Sequence, residues 1–399
     1  MHTHPLKILL FDGTFRTTSF INRLAQGLSQ RHKVIIAGFN EDLSQKIPGV
    51  CYIGLGDNTY LLKFIRAGSM LAFKVLFRYG DLLQLFRLMW LFLKRDRKAI
   101  QKHNLHNLLK LEKPDIIHLQ WISNIPWFED VIRQQQHKII LSQRGFHINV
   151  RPFVNHDYKA YLQEWFPQLN GFHSVSEAIS QKSNAIWNAT GKKNVVIYSG
   201  LNLDNFAFTE TYSKPSGKLE LLSVGRNHWK KGYKYALLSC KLLKDKGVSF
   251  NYTLLGITES EELLYLRQEL GLAANVVFVP TVPVTEVYEK MSRSSILLVP
   301  SLEEGVPNVA IEAMALGLPV ISTRCGGINE LIEEGTNGWL TDVADPEGMA
   351  RAVLDFAGKQ QNIIAKMRIE ARKKVEVQHT EERMITQMEA FYKKIHETA

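Results

Sequence analysis

Cysteine is scarce in this chain of 399 residues, and its three cysteines lack the spacing of a metal site. We therefore expect reduced thiols in the cytoplasm rather than a disulfide framework. The first residues lead straight into a strand-like apolar segment, so we expect no signal peptide. The apolar run from Leu82 to Leu93 contains a glutamine and an arginine and is too short to span a bilayer.

Positive charge is also missing from most of the chain, although the formal net charge is +10. Residues 61–102 contain ten Lys or Arg and two Asp, which gives this segment +8 and leaves the rest nearly neutral. No aromatic–basic strand motif or recognition-helix pattern accompanies the charge, so we expect no nucleic-acid partner. No G-x-G-x-x-G follows the first predicted strand, which disfavours an NAD-dependent dehydrogenase.

Strands and helices alternate through two successive parts of the sequence. In the first part, strands are predicted at KILLF, KVIIAGF, PDIIHLQW and HKIILSQRG. From Lys218 the alternation restarts with five further strand–helix repeats. This pattern predicts an α/β protein of two doubly wound, Rossmann-like domains that face a central cleft. We place the domains at 1–201 and 202–375, followed by a C-terminal helix at 376–399 that packs back on the first domain.

Two carboxylates eight residues apart stand out in the second domain, in the stretch EGVPNVAIE. Glu304 lies in a loop after the strand SILLVPS, and Pro307 is a favourable first residue for the next helix. Gly305 allows a close backbone approach, and the amides of Val306, Asn308 and Val309 suit an anion or a sugar hydroxyl. The alternative is that Glu304 caps its own helix and that the second carboxylate, Glu312, faces solvent from within that helix.

Two cations precede this loop. Arg226 ends the strand LELLSVGR, and Lys231 follows five residues later, so both are expected at the carboxyl end of the sheet. If the ligand is a nucleotide sugar, a nucleoside diphosphate departs when the sugar is transferred. Without a metal, fixed cations are needed to stabilise the charge of that diphosphate. A solvated surface remains the alternative for such a pair.

These motifs resemble a known family. The stretches VGRNHWKKG, EGVPNVAIEAMALGLPVISTRCGGINELI and GTNGWL are similar to the donor domain of the retaining glycosyltransferases of family 4, which have the GT-B fold. The resemblance is dense over 218–345 and weaker elsewhere, and RGFHI in the first domain is similar to surface-polysaccharide transferases.

The resemblance implies a role for each matching residue. Arg226 and Lys231 would hold the diphosphate, Glu304 and the backbone of residues 305–308 the donor sugar, and Glu312 the ribose. It also implies retention of anomeric configuration without a metal or other cofactor, and the chain has no Asp-x-Asp motif. The predicted donor site comprises Gly13, Arg226, Lys231, Glu304, Gly305, Val306, Pro307, Asn308, Val309 and Glu312.

The first domain offers weaker candidates for the acceptor side. Gly13 matches one glycine of a pair that shapes the diphosphate loop in relatives. His118 ends a predicted strand and could face the donor sugar, or it could be a satisfied core histidine. Arg144 and His147 could bind an acidic or phosphorylated acceptor through charge-assisted hydrogen bonds. His103 and His106 lie three residues apart, and we expect them on a solvated helix face rather than at a metal.

The basic segment 61–102 mixes Phe, Leu, Met and Trp with Lys and Arg. This composition predicts an amphipathic helix that either lies on an anionic membrane surface or packs its apolar side on the first sheet.

Together these features predict a retaining, metal-independent hexosyltransferase that uses a nucleotide-diphosphate sugar and a glycan or lipid-linked acceptor in cell-surface polysaccharide synthesis. Glu304, His118, Arg226 and Lys231 are its predicted catalytic residues. We expect it in the cytoplasm, peripheral at the inner face of the plasma membrane. A GT-B epimerase, a phosphorylase and a non-catalytic membrane scaffold remain alternatives.

Overall fold

The computed structural model describes residues 4–43, 46–213, 217–258 and 260–398. The chain divides into two compact units. The first unit consists of Met1–Ser174, Ser183–Ile197 and Met384–Ala399, and the second of Val175–Lys182 and Tyr198–Arg383. The sequence places the domain boundary at 201 and 202, and the chain enters the second unit at Tyr198.

The first unit is built on a parallel sheet of seven strands. The strands are β1 (Lys7–Thr14), β2 (Lys33–Asn40), β3 (Val50–Gly54), β4 (Ile116–Leu119), β5 (Lys138–Gln143), β6 (Gly171–Ser174) and β7 (Asn194–Val196). The helices that begin before β7 are α1 (Ser19–Ser29), α2 (Leu61–Tyr79), α3 (Leu83–Leu93), α4 (Arg97–Glu112), α5 (Ile125–Gln134), α6 (Phe146–Asn149), α7 (Arg151–Val154), α8 (His156–Trp165) and α9 (Glu177–Ile186). Short 3-10 turns lie at Ile122–Asn124 and Phe166–Gln168.

The strand order in this sheet is β3-β2-β1-β4-β5-β6-β7. The central strands β1, β2, β4 and β5 are largely apolar and buried because helices cover both faces of a doubly wound sheet. In α1 the buried Ile21, Leu24, Ala25 and Leu28 recur at the helical period and pack on the sheet. The strands β3, β6 and β7 were not predicted, because they have only five, four and three residues, and GFHS in β6 also lacks the apolar run that marks a buried strand.

The basic segment forms three helices rather than the single amphipathic helix expected. Gly80, with φ 66°, ends α2, and Arg95, with φ 54°, separates α3 from α4. Helix α4 is buried on most of its surface, so the expectation of a solvated face for its histidines was wrong. His103 is buried and hydrogen-bonded to Asn107 at 3.0 Å, and burial lowers its pKa to about 4.

The second unit contains a parallel sheet of six strands in the order β10-β9-β8-β11-β12-β13. The strands are β8 (Leu219–Val224), β9 (Phe250–Leu255), β10 (Val276–Val279), β11 (Ile296–Val299), β12 (Val320–Thr323) and β13 (Trp339–Thr341). The remaining helices are α10 (Tyr233–Asp245), α11 (Glu261–Glu269), α12 (Val284–Arg293), α13 (Asn308–Leu316), α14 (Ile328–Leu331), α15 (Pro346–Gly358), α16 (Gln361–Gln378) and α17 (Glu381–Glu397). Further 3-10 turns lie at Leu203–Asn205 and Trp229–Lys231.

The five predicted strands of this unit are present, and the sixth, β13, was missed because it has three residues. Two apolar clusters fill the two faces of the sheet. Helix α17 belongs to the first unit from Met384 onward, where Met384, Met388, Phe391 and Ile395 join the core of that unit.

Both sheets reverse their strand order at one point. The first reverses between β1 and β4, and the second between β8 and β11. Connections leave such a sheet in opposite directions there and open a crevice at the carboxyl ends of the strands. The residues that follow these four strands are therefore the places to look for a site.

Candidate functional site

A buried ion pair lies at the reversal point of the second sheet. The ammonium of Lys231, which follows β8, is 2.7 Å from Oε1 of Glu304, which follows β11. Glu304 is 9% exposed, and the hydroxyl of Ser301 donates to the same carboxylate oxygen at 3.3 Å. The structure thus joins two predicted donor-site residues from different loops.

The two loops that carry this pair are fixed by their backbones. The N–H of Leu302 donates to the carbonyl of Lys230 at 2.7 Å. A Cβ on Gly232, which has φ 64°, would lie 2.0 Å from the carbonyl oxygen of Pro300. Because only glycine fits there, the sequence K-G after the first strand sets the distance between Lys231 and the Glu304 loop.

A third loop closes over the backbone of Glu304. The N–H of Gly327 donates to the carbonyl of Gly305 at 2.6 Å. A Cβ on Gly326, which has φ 54°, would lie 1.7 Å from the carbonyl oxygen of Glu304. The Gly-Gly motif therefore holds the Glu304 loop by contact between backbones.

Helix α13 begins at Asn308, one residue later than predicted, with Pro307 before it. The N–H of Ala310 bonds back to the carbonyl of Pro307, so the helical bonding starts there and the preceding amides point out of the helix end. Asn308 and Glu312 are half-buried and lie one turn apart, hence on the same face of α13. Glu312 therefore lies on the same side of α13 as Asn308 at the start of the helix, whereas its sequence neighbours Ile311 and Ala313 are buried.

Cations dominate the loop after β8. Arg226 is exposed, and His228, which sequence analysis missed, is half-buried beside it. Burial lowers the pKa of His228, and the charges of Lys230 and Arg226 lower it further, whereas Glu304 raises it. An anion that entered between Arg226 and Lys231 would thus meet a concentrated positive field.

Glu330, the last residue of the Gly-Gly-x-x-Glu motif, has a structural role. Its carboxylate accepts hydrogen bonds from the N–H groups of Glu177 and Ala178 at the start of α9, and from the hydroxyl of Tyr198. A carboxylate at a helix N-terminus satisfies free amides and favours the helix dipole. The motif thus anchors the first turn of α9 within the second unit.

The reversal point of the first sheet is also bridged by a polar contact. Asp12 and Gly13 stand at the end of β1, and the indole N–H of Trp121, after β4, donates to Oδ1 of Asp12. Burial raises the pKa of Asp12 to about 6, while the bond from Trp121 and the charge of Arg144 oppose that rise. Gly13, with φ 83°, lies where the register of β1 and β2 shifts.

Arg144 extends the same edge from the end of β5. Its guanidinium donates to Oε1 of Gln120 at 3.1 Å and to Oγ of Ser142 at 3.2 Å. It also lies over the ring of Phe20, 3.9 Å from the ring centroid. Burial lowers the pKa of Arg144 to about 9. The Nδ1 of His147 is 3.1 Å from the hydroxyl of Tyr158.

His118 is fully buried in the middle of the sheet. Its Nδ1 is 2.6 Å from the hydroxyl of Tyr392 and its Nε2 is 2.8 Å from Oγ of Ser142. Burial lowers the pKa of His118 well below its usual value. Both ring nitrogens are engaged within the protein, so its surroundings favour the satisfied core histidine over a substrate contact.

The hydrogen bonds around His118 form a directed chain. Nε2 of His173 donates to the carbonyl of Ile197, which leaves its Nδ1 to accept from Ser142. Ser142 then accepts from His118, which accepts from Tyr392. Burial lowers the pKa of His173 to about 3, so both histidines are neutral and the direction of the chain is fixed. This chain joins α17 to three strands of the first sheet.

The structure thus brings some of the predicted site residues into direct contact and places others on neighbouring elements. Lys231, Glu304 and Gly305 meet at one point, with Arg226, Asn308 and Glu312 on the adjoining loop and helix. Sequence analysis overlooked Asp12 and Trp121 as a pair, although they lie at the carboxyl ends of β1 and β4, which neighbour one another. Among the described residues, no group of three or more His, Cys, Asp or Glu side chains is placed to share a metal ion.

Two doubly wound units with a polar cluster at the reversal point of each are typical of the GT-B class. Residues 204–374 match the family described as glycosyl transferases group 1. The family resemblance drawn from the sequence motifs is thereby confirmed, although the match assigns no role to Glu304 or Glu312.

The curated relatives include proteins of surface-polysaccharide synthesis. A colanic acid biosynthesis glycosyltransferase of Escherichia coli is 31% identical over 246 residues, which cover 60% of this chain and 60% of that protein. An amylovoran biosynthesis glycosyltransferase of Erwinia amylovora is 35% identical over 167 residues, which cover 40% of this chain and 41% of that protein. The match therefore spans less than two thirds of either relative.

Solved structures match nearly the whole chain. A sucrose-phosphate synthase of Thermosynechococcus elongatus has a TM-score of 0.77 at 16% identity, covering 98% of this chain and 99% of that one. The Anabaena protein HepE, in complex with UDP-glucose, has a TM-score of 0.72 at 15% identity, covering 98% and 100%. At such low identity the likeness shows the fold alone, and the expected GT-B fold is confirmed.

Proposed function

We propose that this chain is a retaining, metal-independent glycosyltransferase. It moves a hexose-type sugar from a nucleotide-diphosphate sugar to a glycan or lipid-linked acceptor in the synthesis of a cell-surface polysaccharide. The nucleotide sugar is a co-substrate, and no metal or other cofactor takes part.

The observation that carries this proposal is the contact between Lys231 and Glu304. In a nucleotide sugar, the anomeric carbon is bonded directly to an oxygen of the terminal phosphate. A protein that binds both groups needs a cation and a sugar-binding carboxylate side by side, and these two lie 2.7 Å apart. The amides at the start of α13 extend the sugar side, and Glu312 lies one turn further for the ribose.

The reaction needs charge stabilisation more than a protein nucleophile. An acceptor hydroxyl attacks the anomeric carbon on the face that the diphosphate leaves, the bond from that carbon to the phosphate oxygen breaks, and the departing diphosphate takes the hydroxyl proton. Lys231 and Arg226 stabilise the negative charge that grows on the diphosphate. Glu304 and the backbone of Gly305 hold the sugar in position.

On the acceptor side we assign binding to the edge formed by Asp12 and Arg144, and we keep Gly13 as a predicted donor-site residue. Arg144 keeps its charge despite burial and suits an acidic or phosphorylated acceptor. His147, bonded to Tyr158, is a further candidate for acceptor contact. We assign to His118 a structural role in the first unit, within its chain of buried hydrogen bonds, and no role in the reaction.

Relatives support the substrate classes. The two proteins named for colanic acid and amylovoran biosynthesis favour a surface-polysaccharide product. The structure of HepE with UDP-glucose favours a nucleoside-diphosphate hexose as donor. Cys51, Cys240 and Cys325 are free thiols, which agrees with a cytoplasmic location.

A two-step experiment tests the proposal. First, thermal unfolding is followed with a panel of UDP-, GDP- and ADP-sugars, because a ligand that binds only the folded state raises the melting temperature. The donor found in this way is then used in turnover assays of Lys231→Ala and Arg226→Ala. We expect each variant to lose about 10²-fold in kcat/KM, the scale of losing one preorganised charge.

Lys241→Ala is the matched control, because Lys241 pairs with Asp245 on the exposed side of α10. It should keep wild-type turnover, and circular dichroism should show all three variants folded. Near-normal turnover by Lys231→Ala would rule out the assignment. Product analysis separates the alternatives, since an epimerase converts the donor without an acceptor and a phosphorylase needs inorganic phosphate. Unchanged turnover in a chelator and retained anomeric configuration are the remaining expected results.

A further inference from the structure

The outer faces of α2 and α3 carry apolar side chains that the fold does not use. In α3, Leu83, Phe86, Trp90 and Leu93 are all exposed and recur three or four residues apart, so they form one stripe. In α2, Leu62 is 83% exposed and Phe77 is 86% exposed. We call these six residues the outer apolar face.

The same helices bury other apolar residues in the protein. Helix α2 packs inward through Phe64, Leu71 and Val75, and α3 through Leu88 and Leu91. The helices are therefore stabilised by their inner faces, and the outer apolar face contributes nothing to that packing. Helices α2 and α3 contact each other, and apolar side chains exposed together on neighbouring helices mark an interaction site.

Cations surround the outer apolar face. Lys63, Arg66 and Lys74 on α2, and Arg87 and Lys94 on and after α3, are all exposed. The ammonium of Lys94 lies 3.8 Å from the centroid of the Trp90 ring.

The two acids of the segment are engaged elsewhere. Asp81 pairs with Lys110 at 2.6 Å, and Asp96 accepts from the N–H of Ala99 at the start of α4. The outer surface of α2 and α3 is thus both apolar and positively charged.

We propose that the outer apolar face and its flanking cations dock these two helices flat on an anionic lipid bilayer. Apolar side chains enter the acyl boundary while Lys and Arg remain at the headgroups, each cation adding to the attraction. Among the described residues, no helix has the length and apolar character needed to cross a membrane. The helices would therefore lie in the interface plane, and this role is separate from the proposed transfer reaction.

The positive charge around the outer apolar face favours an anionic bilayer over a second copy of the chain or a nucleic acid. A second copy of the chain would bring an equal positive charge against the first, and the cores of protein interfaces are depleted of charge. A nucleic acid would satisfy the cations but would leave the outer apolar face in water. An anionic bilayer satisfies both features at once.

Vesicle flotation with the full chain tests the proposal. Vesicles of phosphatidylcholine mixed with phosphatidylglycerol should bind the protein at least about tenfold more tightly than pure phosphatidylcholine, and high salt should remove the difference. The combined change Leu83→Gln, Phe86→Ser and Leu93→Gln should weaken binding at least about tenfold. The combined change Lys63→Glu, Lys74→Glu and Lys94→Glu should remove the preference for anionic lipid.

The control combines Tyr265→Ser, Val277→Ser and Val377→Ser, which are exposed residues of the second unit. It should bind vesicles as the wild type does, and all variants should keep the wild-type melting temperature because the altered residues are exposed. Trp90→Phe should also remove the blue shift of tryptophan emission that anionic vesicles cause. Equal binding to both lipids, or wild-type binding by the α3 variant, would overturn the proposal. So would a dimer that the α3 variant dissociates, or binding of DNA or RNA in place of vesicles.

Discussion

Each of the two units has a polar contact across the reversal point of its sheet, but the residue types that form the contact differ. Each places a carboxylate and its partner on opposite sides of a reversal point: Glu304 and Lys231 in the second unit, Asp12 and Trp121 in the first. In the second unit a full positive charge faces the carboxylate. In the first unit the partner is a neutral indole, and burial raises the pKa of Asp12 to about 6.

The contacts that hold the surrounding loops in place also differ between the two units. Backbone contacts at Gly232 and Gly326 fix the loops of the second unit, and these contacts tolerate no side chain. Side chains fix the edge of the first unit, through Arg144 with Gln120 and through His118 with Tyr392. A backbone frame leaves a motif of glycines in the sequence, whereas a side-chain frame can be rebuilt with other residues. The family match covers residues 204–374, which include Gly232 and Gly326.

The largest effect is expected from Gly326→Ala in the backbone frame. The new Cβ would meet the carbonyl oxygen of Glu304 at 1.7 Å, in addition to the strain of φ 54°. We expect the free energy of unfolding of the second unit to fall by about 3 kcal/mol or more, with loss of stabilisation by the donor. Denaturant unfolding with and without the nucleotide sugar measures both.

Gly335→Ala is the control for that variant, because Gly335 has φ 76° but no atom within 4 Å of the new Cβ. It should cost about 1 kcal/mol from backbone strain alone. Equal costs for the two variants would mean that the contact with Glu304 does not hold the loop.

A gain in stability is expected from Asp12→Asn in the first unit. The folded state holds a proton on Asp12 up to about pH 6, and the unfolded chain releases it near the usual value of 3.8. Burial of this carboxyl therefore lowers stability as pH rises from about 4 to 6, and the loss persists above that range. We expect Asp12→Asn to raise the free energy of unfolding by about 2 kcal/mol at pH 8 and to change it little at pH 4.

Denaturant unfolding at the two pH values measures the Asp12 effect. Asp157→Asn, an exposed acid in the first turn of α8, should show no gain at pH 8. A loss of stability in Asp12→Asn at pH 8 would show that attraction to Arg144 outweighs burial.

The smallest effect is expected from Tyr392→Phe, which removes one oxygen from the chain of hydrogen bonds around His118. The Nδ1 of His118 would lose its donor while remaining buried, which costs about 1 kcal/mol. Hydrogen exchange should show faster opening of α17 and of β4, with donor binding unchanged. Tyr265→Phe, an exposed tyrosine of the second unit, is the control. Unchanged protection in α17 would show that the bond from Tyr392 contributes nothing to the frame.

The sequence predicted the second unit better than the first. Its five longer strands, helices α10 to α13 and the loop residues Lys231 and Glu304 follow from apolar runs and from glycines with a backbone reason. In the first unit, β6 was missed because GFHS is buried through its position and not through apolar character. His118 looked like a strand-end residue, yet it pairs with Leu10 and Ile140 inside the sheet.

The sequence by itself determined the fold class, because periodic apolar runs and obligatory glycines are local consequences of strand, helix and turn geometry. It also determined that α2 and α3 would be basic and apolar together. Only the tertiary structure decided which of their apolar residues face outward, that Lys231 meets Glu304, and that Asp12 lies buried beside Trp121. Those facts depend on which strands become neighbours, and burial and charge at a point in space are sums over residues far apart in the chain.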